Sequence, residues 1–157
     1  MPTFFSFSPS SPAHSATLFF CAAVHNLATS GAGVPGQGAN YSDYAPHMQA
    51  ATSKLVAFAA ASGGKTKLLL AMTTPYLCDA SIDGIIHSIL NVNASALAST
   101  YGIPVVDPYS AIVEKCGKAP TQSCFGETGC WCPHCPPGYS WLAQTVLAPA
   151  VRKLLSP

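Results

Sequence analysis

Short continuous apolar runs alternate along this chain with segments whose apolar residues recur at three- and four-residue steps. That alternation restricts the fold more than any other feature. The runs are Ala16 to Val24, Lys67 to Thr73 and Ile103 to Val106, and a run of this kind, covered on both faces, suits a strand of a parallel sheet. The stepped segments predict helices. Tyr41 to Ser62 carries Tyr44, Met48, Ala51, Leu55 and Phe58 on one stripe, and Ser81 to Tyr101 carries Ile82, Ile85, Ile86, Ile89, Leu90, Ala96 and Leu97. Tyr109 to Lys115 reads as a short helix, and Tyr139 to Leu155 turns Leu142, Val146, Leu147, Val151 and Leu154 inward. Gly63-Gly64 and Gly102 stop the first two helices as left-handed caps do, and Ser81 is placed to cap the second. Asp107-Pro108 ends the third strand.

Strand, helix, strand, helix, strand, helix, loop, helix is the order of an α/β domain, a parallel sheet with helices on both faces. Three strands leave two poorly covered edges, which points to a portion of a larger domain. Residues 1–15, rich in Ser, Pro and Phe, read as a disordered or misassigned start, and residues 16–157 as the domain. No Lys or Arg precedes the first apolar run, so it reads as a buried strand rather than the core of a signal peptide. Thr29 to Asn40, with four glycines and one proline, reads as a loop.

Charge excludes some partners. Seven basic residues against six acidic ones give a net charge of +1, too little for a nucleic-acid surface. No apolar run reaches the roughly 18–20 residues of a membrane-spanning helix. Seven cysteines are present, and Cys116, Cys124, Cys130, Cys132 and Cys135 crowd into one Gly/Pro-rich stretch with His134. They can staple that loop as disulfides, hold zinc or remain thiols; Cys-x-Cys-x-His-Cys is not a standard zinc spacing, and no metal or cofactor is assigned. Clustered cysteines and the sequons at Asn40 and Asn93 lean towards a secreted or secretory-lumen protein.

Ligands of open parallel sheets bind at the carboxyl ends of the strands. His25-Asn26, Thr74 to Asp79 and Asp107-Pro108 follow the three strands there, and His134 sits in a proline-stiffened loop just ahead of the last helix. A neutral imidazole so placed can act as general base for a hydroxyl nucleophile. His14, His47 and His87 carry no motif.

Val-His25-Asn26-Leu27 after an apolar strand, Ile-Pro-Val-Val-Asp107 after a helix containing Asn93, and His134 followed by Gly-Tyr-Ser-Trp-Leu-Ala resemble the SGNH/GDSL hydrolase superfamily. The likeness covers roughly Ala16 to Leu155 and corresponds to the C-terminal portion of that domain. It implies a three-layer α/β/α, flavodoxin-like fold without its first strand, and an esterase, lipase or acyl hydrolase acting on a small-molecule or acylated-glycan ester. On the same likeness His134 is the catalytic base, Asn26 occupies the third-block position, and His25 takes the place of the oxyanion donor, where an imidazole N–H can serve. Asp107 and Asn93 match positions of structural support. The family's acidic residue three positions before the histidine is Trp131 here, so Asp107 or Glu127 would have to orient the ring.

No Gly-Asp-Ser occurs, and Ser6, Ser8, Ser10 and Ser11 lie in a Pro-rich stretch with no strand before them. Without the nucleophile the covalent route is lost, and the chain is expected to be inactive at the rates of a serine hydrolase. The alternative from a different class is a non-catalytic, disulfide-stapled binding module, or a degenerate paralogue, of the same fold.

Overall fold

A computed structural model of the chain describes residues 4–7, 15–19, 44–76, 80–118, 124–125 and 136–156. Four strands are present where three were expected: β1 (Phe4–Phe7), β2 (Ser15–Phe19), β3 (Thr66–Ala71) and β4 (Val105–Val106), adjacent in the order β1-β2-β3-β4. β2, β3 and β4 run parallel, with Ser15 opposite Thr66 and Leu70 opposite Val105. The addition is β1, antiparallel to β2 with Phe4 opposite Phe19. It falls inside the segment set apart from the domain on sequence. Phe-Phe-Ser-Phe is rich in the aromatic residues that strands favour, and its pairing covers an edge of β2 that would otherwise be open. β4 is shorter than predicted because Pro104 has no N–H to donate, although its carbonyl still accepts from Leu70 N at 3.0 Å.

α1 (Tyr44–Ala61) ends at Gly63 and Gly64, with φ of 64° and 83°, and Gly102 stops a later helix at φ 63°. These are left-handed positions that glycine adopts without a Cβ penalty. One expectation for α1 fails. Phe58 is 62% exposed, because the buried face runs through Met48, Thr52 and Leu55 and leaves position 58 on its flank.

Each of the two long helices predicted on either side of β4 is interrupted by a wide π turn. The first consists of α2 (Ala80–Ile85), a π segment Ile86–Leu90 and α3 (Asn91–Tyr101). It starts at Ala80, so Ser81 lies within the first turn and is not its cap. The last consists of α5 (Pro136–Trp141), a π segment Leu142–Leu147 and α6 (Ala148–Leu155). Pro149 accounts for the second interruption, since its ring would collide with the carbonyl four residues earlier in a regular helix. Between these rods lies α4 (Pro108–Cys116), capped by Asp107, whose side chain accepts from Ser110 N at 2.9 Å.

Two apolar clusters hold these elements. Ile86 and Leu90 are fully buried against Met48, Tyr76, Ile85, Ile89 and Tyr109. Leu69, Ala71 and Val106 receive Val146, Leu147, Ala150, Val151 and Leu154 of the closing helix; four of these are inward residues of its periodicity, Ala150 joins them, and Leu142, the fifth expected inward residue, is buried outside this cluster. Burying a side chain of this size stabilises by about 1.5–3 kcal/mol. The result is a small α/β fold, with β3 covered by α1 and by the closing helix. No helix among the described residues is long and apolar enough to cross a membrane.

Candidate functional site

The closing helix has a defined direction relative to the sheet. Lys67 Nζ, near the amino end of β3, donates to the Leu154 carbonyl at 3.0 Å. A cation is favourable against the orphan carbonyls of a helix C-terminus. The helix therefore runs opposite to the strands. Trp141 lies on the order of 20 Å back along the rod from Leu154, so the beginning of the helix is carried toward the carboxyl edge of β3 and β4.

At that edge the chain leaving β3 is fastened twice. Thr73 N–H donates to Asn91 Oδ1 at 2.8 Å, and Asn91 Nδ2 donates to the Thr73 carbonyl at 3.1 Å. Asn91 is 6% exposed, and the π turn before it, closed by Asn91 N–H on the Ile86 carbonyl, sets the register that turns its amide to this loop. Three residues on, Tyr76 N–H donates to Asp83 Oδ1 at 2.9 Å. The other carboxylate oxygen accepts from the Tyr109 hydroxyl at 2.8 Å, which ties the loop after β3 to the helix after β4. His87, exposed on its other side, stacks on Tyr109 with ring centres 5.1 Å apart.

Burial pushes the Tyr109 phenol well above its ordinary value. The hydrogen bond to Asp83 and the negative charges of Asp83 and Asp107 push it in the same direction. Tyr109 is thus a neutral hydrogen-bond donor at physiological pH and not a base. Asp83 is occupied by two donors. The cluster positions backbone.

The approach to the closing helix is fastened from the other side. A disulfide joins Cys116 to Cys124 with Cα atoms 5.2 Å apart, and the next residue, Phe125, packs on Trp141 with ring centres 5.4 Å apart. Lys115 Nζ lies 5.5 Å from the Phe125 ring centre and 5.3 Å from that of Trp141, within the range of cation–π attraction.

Of the residues singled out on sequence, His25, Asn26, Trp131, Glu127 and His134 lie outside the described residues, as do Cys130, Cys132 and Cys135. Asp107 stands at the carboxyl end of β4, where it caps α4 through Ser110 N and the Ser110 hydroxyl. Asn93 donates to the Ile89 carbonyl at 2.9 Å within its own helical rod and takes no part in the edge cluster. No group of three His, Cys, Asp or Glu side chains among the described residues could hold a metal ion. Asp83, Asn91 and Tyr109 were not read as site residues. An amide at an inward helix position was the available signal for Asn91; Asp83 and Tyr109 stand 26 positions apart and meet only once the strands pair.

Compared with protein-family models, curated proteins and solved structures, the chain matches none.

Proposed function

We propose that this chain is an SGNH-type ester-hydrolase domain, the C-terminal portion of that three-layer α/β/α fold, with His134 as its general base. The observation that carries the reading is the direction of the closing helix. Lys67 anchors its far end at the amino edge of β3, and its near end, two residues after His134, is taken toward the carboxyl edge, where ligands of parallel sheets bind. Thr73 and Tyr76 are held rigidly at that edge by Asn91 and Asp83. His25 and Asn26 follow the segment of the first parallel strand; in this reading His25 N–H faces a developing oxyanion and Asn26 fills the third-block position. The ligand is a small or acylated-glycan ester, and the Cys116–Cys124 bridge fits a secretory compartment.

The 157 residues contain no Gly-Asp-Ser, so turnover is limited to what an imidazole base and binding supply, several orders of magnitude below a serine hydrolase. The test is p-nitrophenyl acetate hydrolysis by the 157-residue chain. Expected are a slow rate above that of equimolar imidazole, its loss in His134→Ala, and no adduct with a fluorophosphonate probe. A rate no greater than imidazole, or one unchanged in His134→Ala, contradicts the proposal. The bridge and the missing nucleophile favour a second reading, a stapled binding module of the same fold, and that first negative result is the one it expects.

A further inference from the structure

Charge on this molecule is sorted along the strand direction. Asp83 and Asp107 stand at the carboxyl edge of the sheet. Lys65 and Lys67 lead into β3 at the opposite, amino edge. Arg152 and Lys153 belong to the last turn of α6, which Lys67 holds at that edge through the Leu154 carbonyl. α1 also ends there, because only Ser62 to Lys65 separate it from β3. Lys54, Lys65, Arg152 and Lys153 are exposed and make no ion pair among the described residues. Glu114, the third described acid, is the neighbour of Lys115, which lies beside Trp141, about 20 Å along the closing helix from Leu154.

The ordinary reason for such sorting is the helix dipole. α1, α3 and α6 all end at the amino edge, and three C-termini bring about −1.5 charges between them. Five cations, Lys67 included, exceed that, so a positive surface remains. It coexists with a net charge of +1 because the described acids sit elsewhere.

A second observation falls at the same place. Phe58 is 62% exposed, one turn before the end of α1. A lone exposed apolar side chain needs no explanation. This ring, however, shares its flank of the helix with Lys54, four residues earlier, and Lys65 follows the helix end. Lysine stems can lie along an apolar boundary while their ammonium heads stay wet. A sulfated polysaccharide would engage the cations and leave the ring in water, whereas a lipid headgroup layer engages both.

We propose that the amino edge of the sheet docks on an anionic lipid surface. The Phe58 ring enters the headgroup–acyl boundary, and Lys54, Lys65, Arg152 and Lys153 meet lipid phosphates. The proposal stands on charge and exposure, and does not depend on ester hydrolysis or on His134.

Vesicle co-sedimentation of the 157-residue chain tests it, comparing phosphatidylcholine alone with phosphatidylcholine containing about one-third phosphatidylserine. The chain binds the anionic vesicles and not the neutral ones, and is released as salt rises from about 0.05 M to about 0.5 M. Lys65→Gln and Arg152→Gln each weaken binding about fivefold, the factor for one cation at a charged surface. Phe58→Ser weakens it about tenfold. Lys115→Gln removes the same charge beside Trp141 and changes binding by less than about twofold. These positions are exposed, and urea midpoints verify that each variant is folded. No preference for anionic vesicles, equal weakening by Lys115→Gln and Lys65→Gln, or binding unaltered in Phe58→Ser overturns the proposal. Heparin retention that falls in Lys65→Gln, without vesicle binding, assigns the edge to a sulfated polysaccharide and overturns it too. Vesicle binding by a chain without esterase activity leaves this proposal standing and the hydrolase reading rejected.

Discussion

Asn91 holds Thr73 by both of its backbone polar groups, the N–H at 2.8 Å and the carbonyl at 3.1 Å. This bidentate clamp joins the chain leaving β3 to the helical rod that crosses to β4, and the π turn at Ile86–Leu90 brings the amide into register. Replacing Asn91 with Ala leaves both Thr73 groups without their partner in a partly buried place. The expected loss is about 2 kcal/mol in the free energy of unfolding, measured by urea titration at neutral pH.

Tyr109 makes the alkaline limit of stability readable. Its folded-state phenol titrates above its unfolded value, first through burial and then through Asp83. A group raised in this way contributes stability that is complete below the unfolded phenol pKa of about 10 and is lost as pH rises past it, because the unfolded chain releases its proton first. The difference in stability between the parent chain and Tyr109→Phe is therefore constant from pH 7 to about 9.5. Above that the parent declines more steeply. Denaturant midpoints across pH 7 to 11 check this; parallel curves throughout would show that Tyr109 is not held as described.

The Cys116–Cys124 bridge spans eight positions. Closing a loop of that length removes unfolded-chain entropy worth about 2.5 kcal/mol. Cys116→Ser is expected to lose stability of that order and to shift Trp141 fluorescence, since Phe125 and Lys115 are held against that ring through the same turn.

Local signals carried much of the fold. Continuous apolar runs located β3 and β4 to within a few residues, Asp107-Pro108 marked the start of α4, and the inward stripe of the closing helix was legible from its period. What escaped is what depends on the rest of the molecule. β1 is four residues long and gains its place only by pairing with β2. The π turns come from a proline inside a helix and from an amide drawn to a neighbouring loop, neither of which disturbs the three-and-four spacing enough to be seen. Phe58 fits the stripe of α1 as well as Leu55 does, yet the sheet beneath α1 covers one and not the other. In the site, Asp107 caps α4 and Asn93 bonds back within its own helical rod, whereas Asp83 and Tyr109 belong to a contact that only the strand order creates. The residues proposed to carry the chemistry, His25, Asn26 and His134, lie outside the described residues.

Thr52 yields a prediction of unusual sign. Most buried substitutions destabilise, but Thr52 is 5% exposed in α1 and makes no side-chain hydrogen bond among the described residues, and removing such a hydroxyl without changing shape relieves its desolvation penalty. Thr52→Val is expected to raise unfolding free energy by about 1 kcal/mol, measured by chemical denaturation. A loss of stability would mean that the hydroxyl has a partner.

The central claim is that the His134 imidazole faces the crevice at the carboxyl ends of the parallel strands. An NMR titration from pH 5 to 8 tests it most directly, comparing the parent chain with His134→Gln. The account predicts that amides at Thr73 to Tyr76 and Asp107 to Ser110 move with the midpoint of the His134 ring in the parent, and that this movement vanishes in the variant while any response to His87 persists. Identical titration of those amides in both proteins would contradict it.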